Sequence, residues 1–321
     1  MRRFPGGGCR CAGAFSAKRV SVAMTCVVVI GLGSWLQPAT AAALDRPDPE
    51  VRTVEPGSSG RSARQEALDA LSQVRMPREN AELVRQCVRS TTLYRRLPTQ
   101  EFDCHPDLLA FALEHPQGIV DIWRVLEISQ LTLDPAGPDQ WRMSDGYGTV
   151  GTMRMLSRSG TAEQGVLVMH GRGGYAGPFA PKPLTGNCIV LLRYAYDDAR
   201  GASGNRVCLK TDAFLDVDGL GLELVTRTLH PLIVTTAGWN VHEICLFMGH
   251  LSRTANENPL GVERLSQRLT RIAPDQRQQL AMAARRAGGT ANTTDTEPDI
   301  ARRLASRWMS NAEPATTGPL R

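Results

Sequence analysis

Three stretches of this sequence combine residue types and spacings that could do chemistry. The first is Val166-Leu167-Val168-Met169-His170-Gly171-Arg172-Gly173-Gly174, an apolar run ending in a histidine and closely spaced glycines. Glycines directly after a strand let backbone N–H groups approach a reacting carbonyl, which is the pattern of an oxyanion-stabilising loop in a hydrolase. Such an enzyme also needs a nucleophile on a sharp turn, Gly-x-Ser-x-Gly, and no such pentapeptide occurs in the 321 residues. Ser203, in Gly201-Ala202-Ser203-Gly204-Asn205, has its glycines at the wrong spacing. A glycine-rich hairpin loop continuing through Tyr175 to Phe179 accounts for the string more simply. The second stretch, His242-Glu243, opens like a zinc-binding His-Glu-x-x-His helix, but position 246 is leucine. His250 lies eight residues on, about 80° around a helix from His242, and no third ligand is evident. The third, Asp216-Val217-Asp218-Gly219, begins like a calcium loop and lacks its later ligands and closing glutamate. A strand end and helix cap explain it better. No metal and no cofactor is therefore expected.

The cysteines and the charge point to an address rather than a reaction. Lys and Arg number 37 against 32 Asp and Glu, a formal charge of +5. Arg2, Arg3, Arg10, Lys18 and Arg19 carry that whole excess, with no acid before Asp45. Behind them, residues 20–36 form an uncharged apolar run, followed by Ala39-Thr40-Ala41-Ala42-Ala43. A basic segment, an apolar run and an Ala-x-Ala site are the parts of an export signal, and the run is short for a membrane span. The expected signal peptide is 1–43, and the expected location is periplasmic or secreted. The remaining chain is neutral, without aromatic–basic alternation, so nucleic-acid binding has no support. Cleavage would leave Cys87, Cys104, Cys188, Cys208 and Cys245. An odd number means at least one stays unpaired or pairs between chains. Cys87 and Cys104 are the only local pair, worth about 3 kcal/mol if joined. Cys188 and Cys208 lie on neighbouring strands, where a symmetric hairpin near Gly201 sets Cys208 opposite Tyr194 instead.

The elements that would position these residues follow from periodicity. Residues 44–62 read as a flexible leader and 63–90 as a helical extension with Ala67, Leu68, Leu71, Val84 and Val88 at helical spacing. Residues 91–103 are an extended candidate broken by Pro98. Two short helices follow, Asp107–Glu114 and a second opened by Pro116 with Ile119, Val120, Trp123 and Leu126 on one stripe. Strand signals then come densely: Ile128–Leu133, Gln140–Asp145, Gly148–Leu156, Gly165–His170, Asn187–Tyr196 and Arg206–Val217. Short turn-rich spacers between them predict antiparallel hairpins. In the last strand Val207, Leu209, Thr211, Ala213 and Leu215 alternate with Lys210, Asp212 and Asp216, which predicts one covered face and one wet face. After Gly219 a long helix is expected, kinked or restarted at Pro231, with Val241, Ile244, Cys245, Met248 and Leu251 on its apolar stripe. Beyond Asn258-Pro259 come short helices and a partly disordered end. The expected domains are thus an α+β core at 91–255 and a helical tail at 256–321.

This order, an extended piece, two short helices, an antiparallel series and a long amphipathic helix, resembles the helix-grip fold of the START-like (SRPBCC) superfamily. The segments HPQGIVDIWRVLEISQLTL, DGYGTVGT, FAPKPLTGNCIVLLR and SRTANENPLGVERL also look like an uncharacterised family of exported bacterial proteins. The resemblance implies a curved antiparallel sheet of about six or seven strands gripping the long helix, with helical extensions at both ends. It implies a cavity between sheet and helix that takes an apolar small molecule or lipid. Met153, Met155, Leu167, Met169, Leu192, Tyr194, Leu224 and Trp239 are the cavity candidates, and no catalytic residue is assigned. A hydrolase built on His170–Gly174 and an interaction module of the cell envelope are the alternative functions.

Overall fold

The computed structural model describes residues 51–176, 184–197, 205–218, 230–288 and 297–309. The expected signal segment at 1–43, Leu224, and residues 177–183 and 198–204 lie outside the described residues. The strands are β1 (Arg52–Glu55), β2 (Leu93–Arg96), β3 (Thr99–Asp103), β4 (Thr132–Gly137), β5 (Gln140–Ser144), β6 (Thr149–Gly160), β7 (Gln164–Tyr175), β8 (Leu184–Tyr196) and β9 (Arg206–Val217). The described helices are α1 (Arg61–Gln73), α2 (Arg78–Arg89), α3 (Pro106–Glu114), α4 (Pro116–Val125), α5 (His230–Glu257), α6 (Pro259–Gln267), α7 (Pro274–Gly288) and α8 (Glu297–Met309).

All nine strands join one antiparallel sheet in the order β1-β3-β9-β8-β7-β6-β5-β4, and the sheet does not close. β2 also pairs with β9, alongside β3, because the chain breaks its ladder at Leu97-Pro98 and resumes it. Proline has no N–H to donate, so a strand crossing it must split. The expected six or seven strands become nine through this split and through β1, which lies in the stretch read as a flexible leader. β1 is exposed along its length and held at the sheet edge by pairing with β3. Likewise the helix expected over 63–90 is two, divided at Pro77, the residue that caps α2.

The two faces of the sheet are both covered, which corrects the expected wet face. On the outer face α1 buries Ala63, Ala67 and Leu71, one residue per turn, and α2 adds Val84 and Cys87. They pack on Val168, Ile189, Leu191 and Phe214 of β7, β8 and β9. The charged alternates of β9 are absorbed there in ion pairs instead of facing water. Asp212 is completely buried, its Oδ1 accepting from Tyr94 Oη at 2.6 Å and Arg96 Nε at 2.9 Å. Its Oδ2 accepts from Arg193 Nη2 at 2.7 Å. Glu66 of α1 closes the network, 2.7 Å from Arg96 and 3.1 Å from Arg193. Lys210 reaches Glu55 of β1 at 3.0 Å.

The inner face carries the larger core, built with α3, α4 and α5. The helices α6–α8 belong to the same cluster through Val262, Leu265, Leu280, Ala284, Ile300 and Leu304, so the boundary drawn at 255 separates no second core. Arg271 ties this end to the rest, its N–H donating to Asp121 Oδ2 at 2.8 Å and its guanidinium to Asp134 at 2.6 Å. The short helices start where the sequence caps them. His105 Nδ1 accepts from Asp107 N ahead of Pro106, and Asn258 Oδ1 accepts from Gly261 N at 3.0 Å ahead of Pro259.

One bulge decides which side chains of β6 face inward. The register with β7 shifts between Met155 and Ser157, leaving Leu156 as the extra residue. Met153 and Met155 stay on the inner face, while Leu156 turns into the outer cluster. A bulge leaves a backbone group outside the ladder, and here Asn80 Nδ2 of α2 donates to the Leu156 carbonyl at 2.9 Å. The bulge and the outer helix are thus specified together.

The cysteines do not pair as the local spacing suggested. Cys87, Cys104, Cys208 and Cys245 are free thiols. Cys87 sits in the outer cluster and Cys104 in the inner one, so the sheet separates them. Cys208 stands opposite Ala195, one position from the Tyr194 expected, and Cys188 stands opposite Leu215.

Candidate functional site

An apolar cavity of about 180 Å³ lies between the inner face of the sheet, α3, α4 and α5. Its wall follows from strand periodicity. Neighbouring strands contribute alternate residues: Met153 and Met155 from β6, Leu167 and Met169 from β7, Val190 and Leu192 from β8, Leu209 and Thr211 from β9. Pairing aligns them into rows, Met155–Met169–Val190 and Leu167–Leu192–Thr211. The roof comes from helix stripes: Ile119, Val120 and Trp123 of α4, and Val241, Ile244, Cys245 and Met248 of α5. Leu109, Ala112, Leu113 and Pro116 complete it at the α3–α4 junction. Ala112, Leu113, Pro116, Leu192 and Ile244 are half-buried, which places the mouth where α3 and α4 meet the sheet and α5.

The size and chemistry of this space limit what it can hold. At about 30 Å³ for each water-sized group, it admits roughly six such groups. A void of about 150 Å³ lined by Leu, Ile and Phe stays dry and binds benzene. Among the described residues, the Cys245 thiol is the one ionisable side chain on the wall, and complete burial pushes it well above its ordinary pKa. Two lining residues, Thr211 and Trp123, carry a polar side-chain atom, and both Thr211 Oγ1 and Trp123 Nε1 are sealed from the space and make no hydrogen bond. Trp123 is held edge-on against Phe247 of α5, ring centroids 5.6 Å apart.

Of the cavity candidates, the structure brings Met153, Met155, Leu167, Met169 and Leu192 together on this wall. Tyr194 does not line it. Its ring lies across Gly165, where an added Cβ would come within 2.6 Å of the ring, and its hydroxyl donates to the Thr161 carbonyl at 2.8 Å. Trp239 is 46% exposed, because it falls off the Val241–Ile244–Cys245–Met248 stripe of α5. The α3, α4 and α5 residues were visible as apolar stripes, but nothing in their spacing separated cavity from solid packing. Thr211 carried a signal of its own as the polar residue in an otherwise apolar row.

The chemistry-bearing stretches lie elsewhere. His170–Gly174 is a regular part of β7, paired to β6 on one side and β8 on the other, so its amides belong to strand ladders rather than to an oxyanion loop. His170 is on the outer face, its Nε2 3.3 Å from Asn187 Oδ1. Burial lowers its pKa; the Asn187 hydrogen bond opposes this, and Arg172 and Arg154 add to it. His242 Nδ1 lies 3.2 Å from Gln100 Oε1. Among the described residues, no three His, Cys, Asp or Glu side chains cluster in a way that could hold a metal ion. No described helix is long and apolar enough to cross a membrane.

No protein-family model matches the chain, and no curated protein sequence is similar to it.

Proposed function

We propose that this protein is an exported, non-enzymatic domain that binds a small apolar molecule in the cavity between its sheet and α5. The observation that carries this reading is the cavity of about 180 Å³, walled mainly by apolar side chains from seven strands and three helices. A space this apolar cannot hold ordered water well, since a water needs two to four polar partners. Its upkeep therefore favours a ligand that replaces the missing packing. The element order supports a helix-grip arrangement, in which α5 is the helix that the sheet holds. The volume favours a single substituted ring or a short alkyl chain over a whole lipid, whose long acyl chain needs several times that room. Export rests on the basic and apolar segments before residue 44.

The test is native mass spectrometry of the protein from its own host beside Val190→Phe. Val190 is fully buried on the cavity wall, and the larger ring projects into the space. A co-purifying or added apolar compound such as toluene should bind the native protein and fail to bind the variant, which should keep its native thermal midpoint or exceed it. Absence of binding across a panel of monocyclic and short-chain compounds would overturn the reading.

A further inference from the structure

Methionine is distributed unevenly between the two faces of the sheet. Among the described residues, five methionines are buried, Met143, Met153, Met155, Met169 and Met248, and all five line the cavity. They come from β5, β6, β7 and α5, so they reach the space from both sheet and helix. Met155 and Met169 stand directly opposite each other across β6 and β7. The outer cluster, built on the same sheet, buries Leu71, Val84, Leu156, Val168, Ile189 and Leu191 and no methionine, with Met76 only partly buried beside it. A wall that had only to be apolar would form at less cost from leucine and isoleucine, because ordering a methionine side chain gives up more rotamer freedom. What methionine adds is a polarisable thioether that attracts an aromatic ring, on an unbranched chain that fits itself to the ring's outline. The two lining residues with a polar side-chain atom, Thr211 and Trp123, keep it sealed from the space, so a polar substituent finds nothing there to bond.

We infer that the cavity selects an aromatic ring without polar substituents, held by the methionine thioethers, over a saturated ring or alkyl chain of the same size. This rests on the reading of the cavity as a ligand site. A single ring suits the volume of about 180 Å³, since a void of about 150 Å³ accepts benzene. Each sulfur–ring contact is worth a factor of about two to ten in affinity. The hydrophobic driving force is common to both kinds of ligand, so the selectivity comes from these contacts acting together on one ring.

Toluene and methylcyclohexane are the probes, one carbon skeleton in an aromatic and a saturated form. Titration calorimetry of the full chain gives the ratio of their affinities in the native protein and in Met155→Leu/Met169→Leu. Leucine nearly conserves the volume, and comparing the two ratios cancels the unequal cost of drawing the probes from water. The ratio of toluene to methylcyclohexane affinity should fall about threefold or more in the double variant. The native protein with methyl-labelled methionine gives an independent reading. Toluene should shift the methyl resonances of the cavity methionines through its ring current, and methylcyclohexane should shift them less. The methyl of Met282, which is 42% exposed, should stay in place with either. An unchanged ratio in the double variant, or methyl shifts no larger with toluene than with methylcyclohexane, would overturn the inference and leave the cavity reading intact. Failure of both probes to bind would instead remove the cavity reading, and the inference with it.

Discussion

Asp212→Asn is the sharpest test of what holds the cavity wall in place, because Asp212 is the next residue after Thr211 and faces the opposite side of the sheet. Its carboxylate is completely buried and accepts three hydrogen bonds, from Tyr94 at 2.6 Å, Arg96 at 2.9 Å and Arg193 at 2.7 Å. Asparagine keeps the shape, removes the charge and must turn its NH₂ toward Arg96 or Arg193, which can only donate. At least one charge-assisted hydrogen bond is lost, worth about 1.5–3 kcal/mol, and two guanidinium groups lose their buried counter-charge. Breaking one partner of a buried ion pair costs about 3–5 kcal/mol. Arg96 and Arg193 both keep Glu66, whose side chain is 48% exposed, so the expected loss lies at the lower end, about 3 kcal/mol. Urea unfolding at pH 7 should show a midpoint lowered by on the order of 1 M. Glu66→Gln, at the solvated end of the same network, should cost less than about 1 kcal/mol. Amide exchange in α1 should accelerate in Asp212→Asn, since α1 meets the sheet through this network. A loss below about 0.5 kcal/mol, or a larger loss in Glu66→Gln than in Asp212→Asn, would refute the assignment of the anchoring charge to Asp212.

Two further stability predictions follow from the outer face. Asn80→Ala removes the only side-chain donor shown at the Leu156 carbonyl and should cost about 1–3 kcal/mol, the usual penalty for a buried unsatisfied group, read by thermal or urea unfolding. Unchanged stability would mean that the bulge satisfies itself. His170 has a folded pKa below its unfolded value of 6.5, so the unfolded chain binds the extra proton more readily. Stability contributed by neutral His170 is present above pH ~6.5 and is lost as pH falls through the lower folded pKa. Urea midpoints at pH 7.5 and 5.5 should therefore differ less in His170→Gln than in the native protein, and an equal or steeper decline in the variant would contradict the assignment. Glu66 acts in the same pH direction. Burial raises its pKa, but the hydrogen bond and charge of Arg96, with Lys210 and Arg193, outweigh that and leave it lowered. The His170 comparison separates the two.

Much of the architecture is legible in the chain because it is set locally. Dense strand signals with short turn-rich spacers predict antiparallel hairpins, and the strands Gln140–Ser144 and Arg206–Val217 fall where those signals put them. Pro106, Pro116 and Pro259 open helices for the reason any N1 proline does. β1 escaped notice since a strand with four exposed residues carries no hydrophobic pattern; only its pairing with β3 makes it a strand. Lys210 and Asp212 read as a wet face because charge alternation does not reveal whether the partner charges come from water or from another helix.

The cavity divides along the same line. Period-2 placement alone puts Met153 with Met155 and Leu167 with Met169 on one face, and the helical stripe puts Ile244 with Met248, so the sequence by itself determines which residues face the core. Whether that core is filled or hollow is a matter of how many ångströms separate sheet and helices, and no periodicity encodes a distance. Tyr194 and Trp239 have the composition of a cavity wall, yet Gly165 makes room for one ring on the sheet and the helix angle turns the other to solvent. Face is a property of the local backbone repeat; the gap belongs to the packing of elements far apart in the chain.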